Sequence, residues 1–120
     1  MPHLILEYAE DAVSRDELPA LLAEVHEVAR ATGLFAESRI KVRARPVADY
    51  LTGGERRPFV HAELRIRAGR SPEERKRLAE AVLAVLRARL AGTVLTTEVV
   101  EMDPAACARF YPEPEEGGPR

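Results

Sequence analysis

The order of predicted secondary structure repeats once along the chain, and this repeat restricts the possible folds more than any other feature. A strand-helix-strand pattern covers residues 2–46 and returns over residues 58–103. A helical crossover of this length joins parallel strands, and it is almost always right-handed. The two units therefore predict an α+β fold of two layers, in which a four-stranded mixed sheet carries both helices on one face.

The first unit begins with the strand HLILEY, which places alternate aliphatic residues on one face. In the next segment, Ser14 and Glu17 have capping-box spacing, and apolar residues recur at helical spacing until Gly33 ends the helix. The second strand is predicted over SRIKVRARP, with Pro46 as its end. One face of this strand would carry four cations: Arg39, Lys41, Arg43 and Arg45.

The second unit repeats this order with clearer signals. The strand FVHAELRIRAG alternates apolar and polar residues without a break. The helix after it has Ser71 as N-cap, Pro72 at its first position and Glu74 at capping-box spacing. A last strand, TVLTTEVVEM, completes the unit. We interpret residues 1–103 as a single domain and residues 104–120 as a C-terminal extension, whose Pro-, Gly- and Glu-rich end PEPEEGGPR is expected to be flexible.

Composition excludes several classes of function. The formal charge of −2 gives no general attraction to nucleic acid. No apolar stretch approaches the roughly 20 residues that span a bilayer, and the apolar start lacks the basic region of a secretory signal. These features predict a cytoplasmic protein without a membrane or nucleic-acid partner. The single cysteine, Cys107, cannot form an internal disulfide and is expected to be an inert, packed thiol.

The basic face of the predicted sheet has two interpretations. A solvated polar face is common in mixed sheets, and alternation alone favours it. Four cations on one strand repel one another unless an anion or an acidic neighbour lies beside them, which favours a role in binding. The three histidines lack the spacing of metal ligands, so no metal site is expected.

Several segments resemble the 5-carboxymethyl-2-hydroxymuconate isomerases of the tautomerase superfamily. They are MPHLILEY at the start, ATGLF at the end of the first helix, the basic strand RIKVRA and, most specifically, FVHAELRIRAGRS. The resemblance extends from Met1 to about Asp103. It implies a tautomerase-like fold of two strand-helix-strand units, a homotrimer with a polar centre, and a cofactor-independent enzyme that shifts a proton in a carboxylated enol during aromatic catabolism.

The resemblance also implies roles for particular residues. Removal of Met1 would expose the secondary amine of Pro2, which matches the catalytic base of the family. Arg70 matches a family arginine that contacts a substrate carboxylate. Another family arginine falls here on Lys41, which cannot hold a carboxylate in a bidentate manner, so Arg39 or Arg43 is an alternative binder.

Other functions remain open from the sequence. The chain could be a different tautomerase acting on another enol or keto acid, or a ligand-binding module without catalysis. Taken without the resemblance, Pro2 could be an incidental proline at the first position of a strand, where proline is tolerated. Arg70 could likewise be a solvated residue before a helix cap.

Overall fold

The computed structural model describes residues 1–113, and the predicted flexible end of the extension lies mainly outside them. Residues 1–113 form four strands and two helices in the predicted order: β1 (His3–Ala9), α1 (Leu18–Ala31), β2 (Lys41–Val47), β3 (Phe59–Arg67), α2 (Pro72–Arg89) and β4 (Val94–Met102). Short 3₁₀ turns at Glu37–Arg39 and Pro104–Ala106 precede β2 and follow β4.

The four strands form one sheet in the order β2-β1-β3-β4. Within each unit the two strands are parallel, so β1 pairs with β2 and β3 pairs with β4. The units meet in the centre, where β1 and β3 are antiparallel. This arrangement confirms the predicted mixed sheet built from two strand-helix-strand units.

The hydrophobic core lies between the sheet and the two helices. Helix α1 buries Leu21, Val25 and Ala29, and α2 buries Leu78, Val82 and Leu86. Apolar residues from one face of β1 and β3 pack against them: Leu4, Leu6, Tyr8, Val60, Ala62, Leu64 and Ile66. Each large aliphatic side chain that is fully buried stabilises the fold by about 1.5–3 kcal/mol. Because the helices cover this face of the sheet, the opposite face is the open one.

The capping box predicted for α2 is present. The Ser71 hydroxyl accepts a hydrogen bond from the backbone N–H of Glu74 at 3.1 Å, and the Glu74 carboxylate accepts one from the Ser71 N–H at 3.0 Å. The equivalent contacts of Ser14 and Glu17 also form, but they close a turn before α1, whose first helical residue is Leu18. Gly33, at a φ of +73°, ends α1 as predicted.

Two details of the second strand were predicted wrongly. Arg39 does not lie on the strand, because the chain makes a 3₁₀ turn over Glu37–Arg39 before β2 begins at Lys41. Pro46 does not end the strand, which continues to Val47. Strand β2 is at the edge of the sheet and pairs with β1 alone, so a proline within it need not remove a ladder hydrogen bond.

Candidate active site

The amino terminus is held inside the fold rather than free in solvent. The Pro2 side chain is fully buried, and its carbonyl accepts a hydrogen bond from the backbone N–H of Lys41 at 3.2 Å. This bond continues the pairing of β1 and β2 by one residue beyond His3. The first atoms of the chain are therefore fixed at the end of two parallel strands.

The terminal amine has an environment that disfavours its charged form. The pKa of the Met1 α-amino group is lowered from 8.0 to about 5. Burial is the largest cause, followed by the charge of Lys41 and contact with its side chain, with smaller effects from Arg109 and Arg39. An amine at this place is neutral at pH 7 and free to accept a proton.

Lys41 is held beside this amine by two acceptors. Its Nζ donates to the Arg39 carbonyl at 2.6 Å and to the hydroxyl of Tyr111. The same tyrosine ring lies 3.7 Å below the guanidinium of Arg39, which is only 3% exposed. Tyr111, in the segment after β4, therefore holds both cations close to the chain start.

Arg70 lies in a cavity of about 300 Å³ that also includes the amino terminus. Its Nη2 donates to the Leu34 carbonyl at 2.6 Å, which fixes the guanidinium against the loop that follows α1. Gly69, at a φ of +119°, makes the turn that brings Arg70 back toward this cavity. The described residues lining the cavity are Met1, Phe35, Ile66, Arg67, Ala68, Gly69 and Arg70.

Arg43 lies apart from the cavity, on the open face of the sheet. Its Nη1 is 3.0 Å from Nδ1 of His3. Burial, followed by the charges of Lys41 and Arg43, lowers the pKa of His3, so the neutral imidazole accepts the hydrogen bond from Arg43. The structure thus brings Pro2, Lys41, Arg39 and Arg70 together near the terminus and leaves Arg43 on the sheet face.

A second cavity, of about 110 Å³, lies on the side of the C-terminal segment. Its described lining residues are Met1, Arg67, Met102, Pro104, Cys107, Ala108 and Arg109. Cys107 is exposed, so the expectation of a packed thiol was wrong. The reason is that residues after β4 run along the surface instead of joining the core.

Three residues of this region were missed by the sequence analysis as parts of a site: Arg67, Arg109 and Tyr111. Arg67 lies in the predicted strand FVHAELRIRAG, for which only the alternation of apolar and polar residues was noted. Arg109 and Tyr111 lie in the extension, which has no periodicity and falls outside the resemblance. The contact of Tyr111 with Lys41 joins residues 70 positions apart, and nothing local in the sequence indicates it.

Taken together, the described residues form a pair of small cavities around a neutral amine and several cations. Such an arrangement attracts anions and offers one proton acceptor. Within residues 1–113 there is no group of three or more His, Cys, Asp or Glu side chains placed to hold a metal ion. In the same range, no helix has both the length and the apolar character needed to cross a membrane.

Comparison with known proteins identifies a family. A family model described as 5-carboxymethyl-2-hydroxymuconate isomerase matches residues 2–103. The 5-carboxymethyl-2-hydroxymuconate Delta-isomerase of Escherichia coli is 30% identical over 112 residues, covering 87% of this chain and 89% of the relative.

Solved structures agree in fold. A 5-carboxymethyl-2-hydroxymuconate isomerase from Deinococcus radiodurans R1 is 32% identical and superposes with a TM-score of 0.78, covering 91% of this chain and 88% of the other. A protein described as a fused 4-OT wild-type symmetric trimer has a TM-score of 0.74 at 17% identity, covering 85% and 88% of the two chains. This second similarity concerns the fold alone.

Proposed function

This chain belongs to the 5-carboxymethyl-2-hydroxymuconate isomerase family, and we propose that it ketonises a carboxylated dienol of the 2-hydroxymuconate type with Pro2 as the base. The family membership makes it an isomerase. The substrate, the base and a role in cytoplasmic aromatic catabolism are parts of the proposal. The observation that carries it is the half-buried amino terminus beside several cations, one residue ahead of the buried Pro2 whose nitrogen becomes the terminal amine once Met1 is removed.

Removal of Met1 would make Pro2 a secondary amine in these surroundings. An unperturbed terminal amine titrates near pH 7.7. The same burial and the same cations that lower the pKa of the Met1 amine would act on a proline amine held one residue further along. A neutral amine is a competent base, and its conjugate acid is strong enough to return the proton.

The proposed reaction is a proton shift within a conjugated chain. Pro2 takes the proton of the 2-hydroxyl group, the electron pair moves along the diene, and the ammonium returns the proton to a carbon further along the chain. The negative charge of the dienolate develops next to Lys41 and Arg39, whose fixed positions would stabilise it. The step requires neither a metal nor an organic cofactor.

Substrate binding is assigned in this proposal to Arg70 and Lys41. The Arg70 guanidinium shares a cavity with the chain terminus and is oriented by the Leu34 carbonyl, so it would hold a carboxylate close to the base. Lys41 would add a point charge on the side of β2. Arg39 is nearly buried against Tyr111 and would act on the substrate through its charge, whereas Arg43 would contribute from the sheet face.

The experiment that tests the base begins with the intact mass of the purified protein, which is expected to show loss of Met1. Ketonisation of 2-hydroxymuconate is then followed by ultraviolet absorbance. Pro2→Ala replaces the ring-held secondary amine by a primary amine on a more flexible residue, and it is expected to lower kcat by about 10²-fold because the base is no longer positioned. Pro19→Ala, which replaces an exposed proline at the start of α1, serves as a control and is expected to keep full activity.

A Pro2→Ala variant that loses Met1, folds and retains full activity would contradict the proposed base. Rates on tricarboxylated, dicarboxylated and monocarboxylated enols then separate the substrate classes. Preference for a monocarboxylated enol would indicate a different tautomerase, and absence of turnover on every enol would indicate a ligand-binding module.

A further inference from the structure

We propose that Tyr111 is a positioning residue for the proposed reaction, because it holds the Lys41 ammonium beside the terminal amine that serves as the base. The inference rests on the proposed function, since it concerns how the same base is kept ready to accept a proton. Tyr111 would act through Lys41 and need not touch the substrate. This assigns a role to the segment after β4, which the family model, ending at residue 103, does not include.

Tyr111 attaches the segment after β4 to the body of the fold. Within residues 103–113, every residue is exposed except Tyr111, which is half-buried. The exposed residues of this surface segment gain little from burial of apolar area. The contacts of Tyr111 therefore have a large part in deciding where the segment lies.

Tyr111, Lys41 and Arg39 form a closed set of contacts. The Tyr111 hydroxyl accepts a hydrogen bond from Lys41 Nζ, which also lies 5.0 Å from the centre of the tyrosine ring. The Arg39 guanidinium carbon lies 3.7 Å from the same centre, and the Arg39 carbonyl accepts a second hydrogen bond from Nζ at 2.6 Å. Because the face of an aromatic ring is negative, it stabilises two cations that would otherwise repel one another.

The hydrogen bonds of Lys41 leave one donor for the chain terminus. An ammonium group has three N–H donors. The Tyr111 hydroxyl and the Arg39 carbonyl take two of them, and contact of the Lys41 side chain with the Met1 amine is among the causes that lower the pKa of this amine. Without the tyrosine hydroxyl, Nζ at the end of a flexible four-carbon stem would lose an anchor and spend less time beside the amine.

The charged groups that face the terminal amine are basic on every side. They are His3 on β1, Lys41 on β2, Arg39 in the turn before it, Arg67 at the end of β3, Arg70 in the turn after it and Arg109 after β4. No Asp or Glu is among the described residues that line the two cavities. After burial, the charge of Lys41 is the largest cause of the lowered pKa of the amine. A change in the position of Lys41 is therefore expected to act on the amine more than a change at any other cation.

The test measures the pKa of the terminal amine directly by nitrogen-15 NMR. The full-length protein is labelled with nitrogen-15 proline, or with nitrogen-15 methionine if its intact mass shows that Met1 is retained, and the amine signal is followed against pH. Tyr111→Phe keeps the ring against Arg39 and removes only the hydroxyl. It is expected to raise the pKa of the amine by about half a unit, or about threefold in proton affinity.

A double variant shows whether the tyrosine acts through the lysine. Lys41→Met removes the ammonium that the hydroxyl holds, so the further change Tyr111→Phe is expected to leave the pKa of the amine where Lys41→Met has placed it. An equal rise with and without Lys41 would overturn the inference, because the tyrosine would then act only through burial of the terminus.

Tyr50→Phe is the matched control. The Tyr50 hydroxyl donates to the Asp11 carboxylate, and its ring lies 4.6 Å from the guanidinium carbon of Arg56. These contacts resemble those of Tyr111, but Tyr50 follows β2, at the end of the sheet opposite to the chain start. This variant should leave the pKa of the amine unchanged. Circular dichroism verifies that each variant is folded.

An unchanged or lowered pKa of the amine in Tyr111→Phe would also overturn the inference. If the proposed function holds, the acidic limb of kcat/KM in this variant moves to higher pH together with the pKa of the amine. The NMR readout does not depend on turnover. A protein whose amine responds to Tyr111→Phe but which ketonises no enol would contradict the proposed function and leave the positioning of Lys41 by Tyr111 in place.

Discussion

Lys41 is a flexible side chain that its neighbours hold in one position. A family arginine falls at this place by resemblance, and an arginine would supply a planar group with several donors, whereas lysine supplies one compact charge. Here Nζ is fixed by the Arg39 carbonyl and the Tyr111 hydroxyl. Two hydrogen bonds thus provide part of the rigidity that the lysine side chain lacks.

The position of Lys41 gives a prediction about pH dependence. The base accepts a proton only when neutral, so kcat/KM is expected to fall as pH falls through the pKa of the terminal amine. Lys41 is a neighbouring cation that lowers this pKa. In Lys41→Gln the pKa therefore rises, and the acidic limb of the kcat/KM profile is expected to move to higher pH.

Lys76→Gln is the control, since it replaces the only other lysine of the chain, an exposed residue of α2. Its acidic limb should coincide with that of the wild-type protein. An unchanged limb in Lys41→Gln would show that this lysine does not act on the base, whatever happens to the maximal rate.

At the scale of elements, α2 has the most strongly specified beginning in the chain. The Ser71 and Glu74 contacts satisfy two backbone N–H groups that the helix itself leaves without partners. Accepting the Ser71 N–H bond is the largest cause that lowers the pKa of the Glu74 carboxyl. The contribution of this box to stability is therefore complete above the ordinary glutamate range and is lost as pH falls through the lowered value.

Ser71→Ala is expected to lower the free energy of unfolding by about 1 kcal/mol, the usual cost of losing an N-cap. Ser14→Ala is the comparison, because Ser14 makes the same kind of contacts in an exposed turn ahead of α1. Water can replace exposed hydrogen bonds, so Ser14→Ala should lower the free energy of unfolding by about half as much as Ser71→Ala, or less. Urea unfolding measures both, and an equal or larger loss in Ser14→Ala would contradict this ranking.

The elements also show how far a sequence specifies structure. Strand β3 could be predicted, because its alternation has the period of a strand with one buried face and one polar face. The burial of Arg39 could not be predicted, because it depends on a 3₁₀ turn and on a tyrosine that is distant in sequence, and not on the neighbouring residues. The site roles of Pro2 and Arg70 were proposed from a resemblance. The position of Arg109 could not be predicted, because it depends on the path of a segment that carries no periodic signal.

At the scale of the whole molecule, the homotrimer that the family resemblance implies would bring the open sheet face against other subunits. This face carries Lys41, Arg43 and Arg45 on β2 and further charged residues on β3. Light scattering after size-exclusion chromatography is expected to give about three times the 13.3 kDa of one chain.

A mass near that of one chain at micromolar concentration would contradict the trimer. Salt provides a second measurement, since charges that face one another across subunits are screened at high ionic strength. Added salt is therefore expected to change the assembly more than the secondary structure.

The two cavities that share Met1 bring the start of the chain and the segment after β4 to one place. A chain whose start lies this close to the segment after its last strand normally suits circular permutation, with new ends opened in a surface loop such as residues 48–58. In this protein the join would turn the nitrogen of Pro2 into an amide, which is not a base. A permuted chain would therefore keep its architecture while losing its proposed chemistry, and an affinity tag placed before Pro2 would have the same effect.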